Sequence, residues 1–167
     1  HWFSGVPAKR IEKYFGNLLQ GVRRCVYDSS VESGDLSKLN WPDPSRVGDL
    51  AKARLLPARQ AIGQFISGYS IESLCEGLQA VRVRHCSSMS GEGRGLLEWV
   101  QSCFADCDDC DSCPSSGAEF SVTESEDSDE CALELEFIYN DERFLKCRKF
   151  KDGSRGEIDA NLGKGQE

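Results

Sequence analysis

Four cysteines fall within eleven residues, Cys103-x3-Cys107-x2-Cys110-x2-Cys113, interleaved with Asp106, Asp108, Asp109 and Asp111. Thiolates at this spacing have two chemistries open to them. In a metal site, Cys103 and Cys107 lie one helical turn apart and share a side. The two following C-x2-C steps let the remaining sulfurs reach the same zinc ion at about 2.3 Å. His85, Cys86 and Cys131 are the remote ligands that could complete such a site. In a disulfide framework, the same cysteines bridge outward to Cys25, Cys75, Cys86, Cys131 and Cys147. Helical i, i+4 cysteines meet a partner on another element more readily than each other. Nine cysteines leave one over if the others pair. The disulfide reading stands narrowly ahead of the zinc reading, so the cofactor expectation is none or one structural zinc. An iron–sulfur triad is disfavoured because the aspartates would repel an anionic cluster. The D-x-D-D-x-D pattern lacks the glycine and terminal glutamate of a calcium loop.

Catalytic chemistry has little else to draw on. The chain has two histidines, His1 and His85, and no nucleophile elbow, zinc-protease or phosphate-loop motif. His85 and Cys86 are adjacent, a spacing that rarely gives nucleophile–base geometry. Gly91, Gly93 and Gly95 distantly resemble a phosphate cradle, but the following Lys-Ser/Thr is missing and Glu92 would repel phosphate. They read as a flexible connector. The chain is therefore expected to be no enzyme, with a zinc-dependent enzyme the weakest of three functional readings.

Charge is distributed very unevenly. Between Arg94 and Arg143 there are fifteen Asp and Glu and no Lys or Arg, while the rest of the chain is net basic. Such a segment would repel nucleic acid, and the basic remainder is too weakly charged for a nucleic-acid footprint. No apolar run approaches the ~20 residues that cross a bilayer. An acidic, serine-containing run suits a basic protein partner. Glu124, Glu126, Asp127, Asp129 and Glu130 are the candidate contacts, with Trp41 a further one. Phosphorylation at Ser121, Thr123, Ser125 or Ser128 would add charge.

The elements that must position these groups follow from periodicity. Ile11, Tyr14, Phe15, Leu18, Leu19, Val22, Cys25 and Val26 trace one face of a helix from Pro7 to about Tyr27. Residues 28–48 read as an ordered loop in which Leu36, Leu39 and Trp41 pin the chain down. A short helix over 48–55 ends at Pro57, which starts the next one, and Gly68 closes that. Ser70 caps a helix reaching about Arg82. Leu96 to Asp106 forms another, with Cys103 and Cys107 on its buried face. Cys131, Leu133, Leu135, Phe137 and Tyr139 alternate with smaller or charged residues, and R-F-L-K-C-R-K-F returns as a partner strand. A three-residue turn sets Phe137 opposite Leu145, Leu135 opposite Cys147, Glu136 against Lys146 and Glu134 against Arg148. A two-residue turn would oppose carboxylates to apolar residues. Phe120 and Val122 offer a third strand.

The expected fold is α+β: four to five packed helices, a cysteine-rich junction, then a small antiparallel sheet built on a β-hairpin. Residues 1–113 form the helical body, 114–130 an acidic mobile loop, 131–152 the hairpin and 153–167 a flexible tail, in one structural domain. The leading function is a non-catalytic protein–protein interaction domain whose acidic segment docks a basic partner. The alternative is a secreted, disulfide-stapled helical ligand or receptor ectodomain. The absence of N-glycosylation sequons and the acidic serine run favour an intracellular setting, nuclear or cytoplasmic, over an extracellular one.

Overall fold

The computed structural model describes residues 6–18, 20–32, 36, 39–105, 117–126, 131–152 and 155–163. It is a mixed α+β structure in which helices and strands interleave. Helices α1 (Ala8–Lys13) and α2 (Phe15–Leu18) lead to a short strand β1 (Cys25–Tyr27), which pairs in parallel with β2 (Val47–Asp49). Helices α3 (Leu50–Arg54), α4 (Leu56–Ile66) and α5 (Ile71–Cys75) follow. Then come strand β3 (Leu78–His85), helix α6 (Ser90–Ala105) and strands β4 (Glu119–Glu124), β5 (Cys131–Tyr139), β6 (Phe144–Phe150) and β7 (Gly156–Asn161). The last five strands make one sheet in the order β4-β3-β5-β6-β7, with β3 and β4 parallel and the other neighbours antiparallel.

The sequence expectation of helices first and sheet afterwards is corrected at β3. The chain leaves α5 after one short helix, turns at Gly77 with φ +72°, and becomes the strand next to the sheet's edge. Leu78 and Val81 fit a helical stripe as well as a strand. Arg82 and Arg84 decide it, because they alternate with Val81, Val83 and His85 and place charge outward at every second residue. The N-terminal helix is also shorter than its apolar stripe implied. It breaks at Tyr14, and Cys25 to Tyr27 are strand. The glycine run is no connector: Gly91, Gly93 and Gly95 lie buried in the first turns of α6. A Cβ on Gly91 would run into Ser29 and the Ser30 backbone, and one on Gly93 into the His85 ring. Phe120 and Val122 do lie on a further strand, β4, which takes residues 119–124 out of the expected mobile loop, and β7 occupies 156–161 of the expected flexible tail. Both gain main-chain pairing from a neighbouring strand.

Strands β5 and β6 pair Phe137 with Leu145, Leu135 with Cys147, Glu136 with Lys146 and Glu134 with Arg148, as the alternation of their sequences implies. One face of the sheet carries Val81, Val83, Leu133, Leu135, Phe137, Leu145 and Cys147 against Ile62 of α4 and Leu96, Leu97 and Val100 of α6. Val81, Val83, Leu135 and Leu145 are its fully buried centre. Each such side chain contributes about 1.5–3 kcal/mol of burial. Arg143 fastens the β5–β6 turn to the end of α5, donating to the Ser73 and Glu76 carbonyls at 3.0 and 2.7 Å while its guanidinium lies over Tyr139. A second, smaller cluster joins Ile11, Phe15 and Leu36 to Tyr27, Leu39 and Trp41.

Candidate functional sites: a charged sheet face, an acidic edge and two hollows

The sheet face opposite the helices is polar, and register arranges its charges in rows. One row runs Thr123, Arg84, Glu134, Arg148, Glu157 across β4-β3-β5-β6-β7, and the next runs Ser121, Arg82, Glu136, Lys146, Asp159. From β3 to β7 the sign alternates at every strand. Arg84 meets Glu134 at 2.6 Å, Arg148 meets the same carboxylate at 3.3 Å, and Lys146 meets Glu136 at 2.9 Å. Only on β4 does the alternation lapse, where Ser121 stands beside Arg82 and Thr123 beside Arg84. Among the described residues Arg82 has no ion-pair partner, and Glu136, next to it in register, meets Lys146 instead.

Strand β4 is an edge, paired with β3 alone among the described residues. Phe120, Ser121, Val122 and Thr123 form its middle, free of charge, proline and glycine, while Glu119 and Glu124 stand exposed at its two ends. Phe120 and Val122 pack on the core cluster. Glu126 is exposed just beyond, and Asp127, Ser128, Asp129 and Glu130 lie outside the described residues. Ser125 is tied down, its N–H and hydroxyl both donating to the His85 carbonyl at 2.8 and 3.1 Å.

A second group of charges joins residues far apart in the sequence, with Asp28 and Glu92 buried and Arg54 at the surface. Arg54, from α3, donates Nη1 and Nη2 to the two oxygens of Asp28 at 2.7 and 2.8 Å, and Nε to Glu92 of α6 at 2.5 Å. The Ser30 hydroxyl donates to the other Glu92 oxygen and accepts from the Gly91 N–H at 3.1 Å. Hydrogen bonds from Arg54 hold the Asp28 carboxyl below the usual carboxylate range and raise the guanidinium's own pKa further. Asp49 caps α3 through Ala51 N–H and also accepts from Ser29 N–H. Together these bonds lock loop 28–30 between α3 and α6, so the cluster joins the N-terminal segment to the main body. Each carboxylate is fully occupied by that task.

The cysteines disperse. Cys107, Cys110 and Cys113 lie outside the described residues, and Cys103 is exposed on α6 rather than on its buried face. Val100 takes the inward position one turn earlier. Cys75 and Cys86 are buried, Cys86 approaching the Ser88 hydroxyl at 3.3 Å. Cys131 donates toward the Leu133 carbonyl at 3.3 Å, and burial raises its thiol pKa, as it does that of Cys25. Cys147 sits in the core opposite Leu135, where burial pushes its thiol up to about 12. His85 is buried against Gly93, with Nδ1 at 2.9 Å from the Cys86 carbonyl. Among the described residues no three His, Cys, Asp or Glu side chains are placed to share a metal ion. Trp41 spends its indole N–H on the Leu36 carbonyl at 2.9 Å and its ring against Phe15 and Tyr27. It belongs to the small cluster.

Two hollows open on the helix-bearing side. The larger, about 490 Å³, lies between α4 and the β5–β7 side of the sheet. The smaller, about 260 Å³, is apolar and lined by Ile66, Leu74, Cys75, Trp99, Cys103 and Phe104 among others. Comparison with protein-family models, curated proteins and solved structures finds no match, so no function is inherited through likeness. Among the described residues no helix is long and apolar enough to cross a membrane.

Proposed function

We propose that this domain is a non-catalytic protein-interaction module that receives a basic, extended peptide along β4. The supporting observation is an edge strand with an uncharged middle, Phe120 to Thr123, framed by exposed Glu119, Glu124 and Glu126. Edge strands are commonly protected by Lys, Pro or a covering element, because their outward N–H and C=O groups template another strand. Here no Lys or Pro stands in the strand, and the charge present is of one sign. Main-chain bonds from an added strand supply affinity, and the acidic frame selects a partner rich in Lys and Arg. Asp127, Asp129 and Glu130 extend the frame in sequence.

Phosphorylation at Ser121 or Thr123 would tune this surface. Both stand next to arginines at the point where the alternating rows run out of negative charge. A phosphate there would add about −1.5 to −2 of charge beside Arg82 or Arg84. An intracellular setting remains part of the proposal, supported by the lack of any N-x-Ser/Thr sequon in the sequence.

The test is titration of a Lys/Arg-rich peptide against the wild-type chain and a variant with Glu119, Glu124, Glu126, Asp127 and Asp129 changed to Gln or Asn. Loss of five charges at about 0.2–1 kcal/mol each should weaken binding roughly tenfold or more. Wild-type affinity should fall as salt rises. Equal affinities for the two chains would exclude the acidic frame as the docking surface.

A further inference from the structure

We infer that the larger hollow is a binding site for a single-chain anionic amphiphile, separate from the β4 edge. Its volume of about 490 Å³ falls in the range of about 300–1,000 Å³ usual for small-molecule sites. Ile62, Leu96, Leu133, Leu135 and Ile158 supply apolar walls, with Ala58 and Ala61 of α4 on the open side.

Four cations line the same hollow, and their engagements differ. Arg54 is bound to Asp28 and Glu92, and Arg148 to Glu134 and Glu157. Among the described residues Lys149 and Arg155 have no carboxylate partner; Arg155 lies over the Phe150 ring, its guanidinium carbon 4.6 Å from the centroid. Both line the hollow, Lys149 on β6 in register with Gly156 of β7 and Arg155 just before that strand. Glu157 is the one acid lining the hollow, and it is turned to Arg148 at 3.8 Å.

The polar end continues. A third, more open hollow of about 450 Å³ shares Met89 and Lys149 with the first, and Cys86, Ser87, Ser88 and Lys151 complete its polar lining with no acid among them. An apolar trough that ends at Lys149, Arg155 and serine hydroxyls matches a ligand with a chain at one end and a carboxylate or phosphate at the other. A neutral lipid would leave Lys149 and Arg155 without counter-charge, and a cationic amphiphile would be repelled by them.

Calorimetric titration of the full chain with decanoate, decyl phosphate, decanol and decyltrimethylammonium, all below micelle formation, tests this directly. Decanoate or decyl phosphate should bind, the tighter of the two identifying the headgroup, and both should outbind decanol and the cationic analogue. K149Q/R155Q should weaken the anionic ligand roughly tenfold, the scale of lost charged hydrogen bonds, and bring it level with decanol. A61W, at an exposed position on α4, should block all chain-bearing ligands while leaving the melting temperature near wild type. Equal binding of decanoate and decanol, unchanged affinity in K149Q/R155Q, or no binding of either anion would overturn the assignment.

Discussion

Arg84 on β3 donates Nη2 to Glu134 on β5 at 2.6 Å, and the acceptor is almost fully buried on a sheet face that no described helix covers. Arg148 approaches the second Glu134 oxygen from β6 at 3.3 Å. The carboxylate is therefore enclosed by its own counter-ions, and the open face is ordered around it.

Truncating Glu134 to Ala leaves two arginines facing each other across β5. Fully buried ion pairs lose about 3–5 kcal/mol when one partner is removed. Arg84 and Arg148 keep 51% and 32% of their side chains exposed, which reduces the expected loss to about 1–3 kcal/mol. Urea denaturation of E134A measures it. A wild-type midpoint would mean that the rows are decorative.

Arg54 lowers the pKa of Asp28 below its ordinary 3.8. A depressed carboxylate contributes stability that is present above the unfolded-state value and lost as pH falls through the folded one. Thermal melts from neutral pH downward should show the melting temperature falling below about pH 4. R54M should be less stable at neutral pH and show a shallower acid decline. Parallel declines in the two proteins would contradict the assignment.

Cys147 gives the opposite limb. Its thiol is raised from 9.0 to about 12 by burial, and Tyr139 from 10.0 to about 12 by burial as well. The folded state holds both protons while the unfolded chain releases them, so stability should decline from about pH 9 to about pH 12. C147A removes one of the two groups. It should be less stable at neutral pH but should lose less between pH 9 and 12, as read by denaturant midpoints. A wild-type slope would place the titration elsewhere.

Two helical glycines should respond with opposite sign. In α4, Gly63 has open space where a Cβ would stand, so G63A should stabilise by about 0.5–1 kcal/mol through helix propensity. In α6, a Cβ on Gly93 meets the buried His85 ring, and G93A should destabilise despite the same propensity gain. Thermal shifts of the same sign would show that α6 is not seated closely on β3.

Local pattern explains what the sequence made legible. The β5–β6 register follows from alternation along each strand and from matched charges on the far face, both written within twenty residues. Pro57 marks a helix start through its fixed backbone, and Ser70 through a side-chain cap that accepts from the Ser73 N–H. Strand β3 was obscured because Leu78 and Val81 satisfy both periods, and β7 because an edge strand needs only one buried face and few apolar residues, whereas Phe120 and Val122 marked β4. The Arg54 cluster joins positions 28, 54 and 92, whose proximity depends on tertiary packing. Even so, the close spacing of Gly91, Gly93 and Gly95 was a trace of it, since a helix with several small residues on it implies something packed tightly against them.

The central claim, that β4 receives a basic strand, is tested most directly by amide hydrogen exchange on the wild-type chain with and without a Lys/Arg-rich peptide. The account predicts new protection at alternate amides of Glu119–Glu124, those turned away from β3, with the exchange of β6 and β7 unchanged. Peptide binding that leaves β4 exchange as it was, or that protects the β7 edge instead, would contradict it.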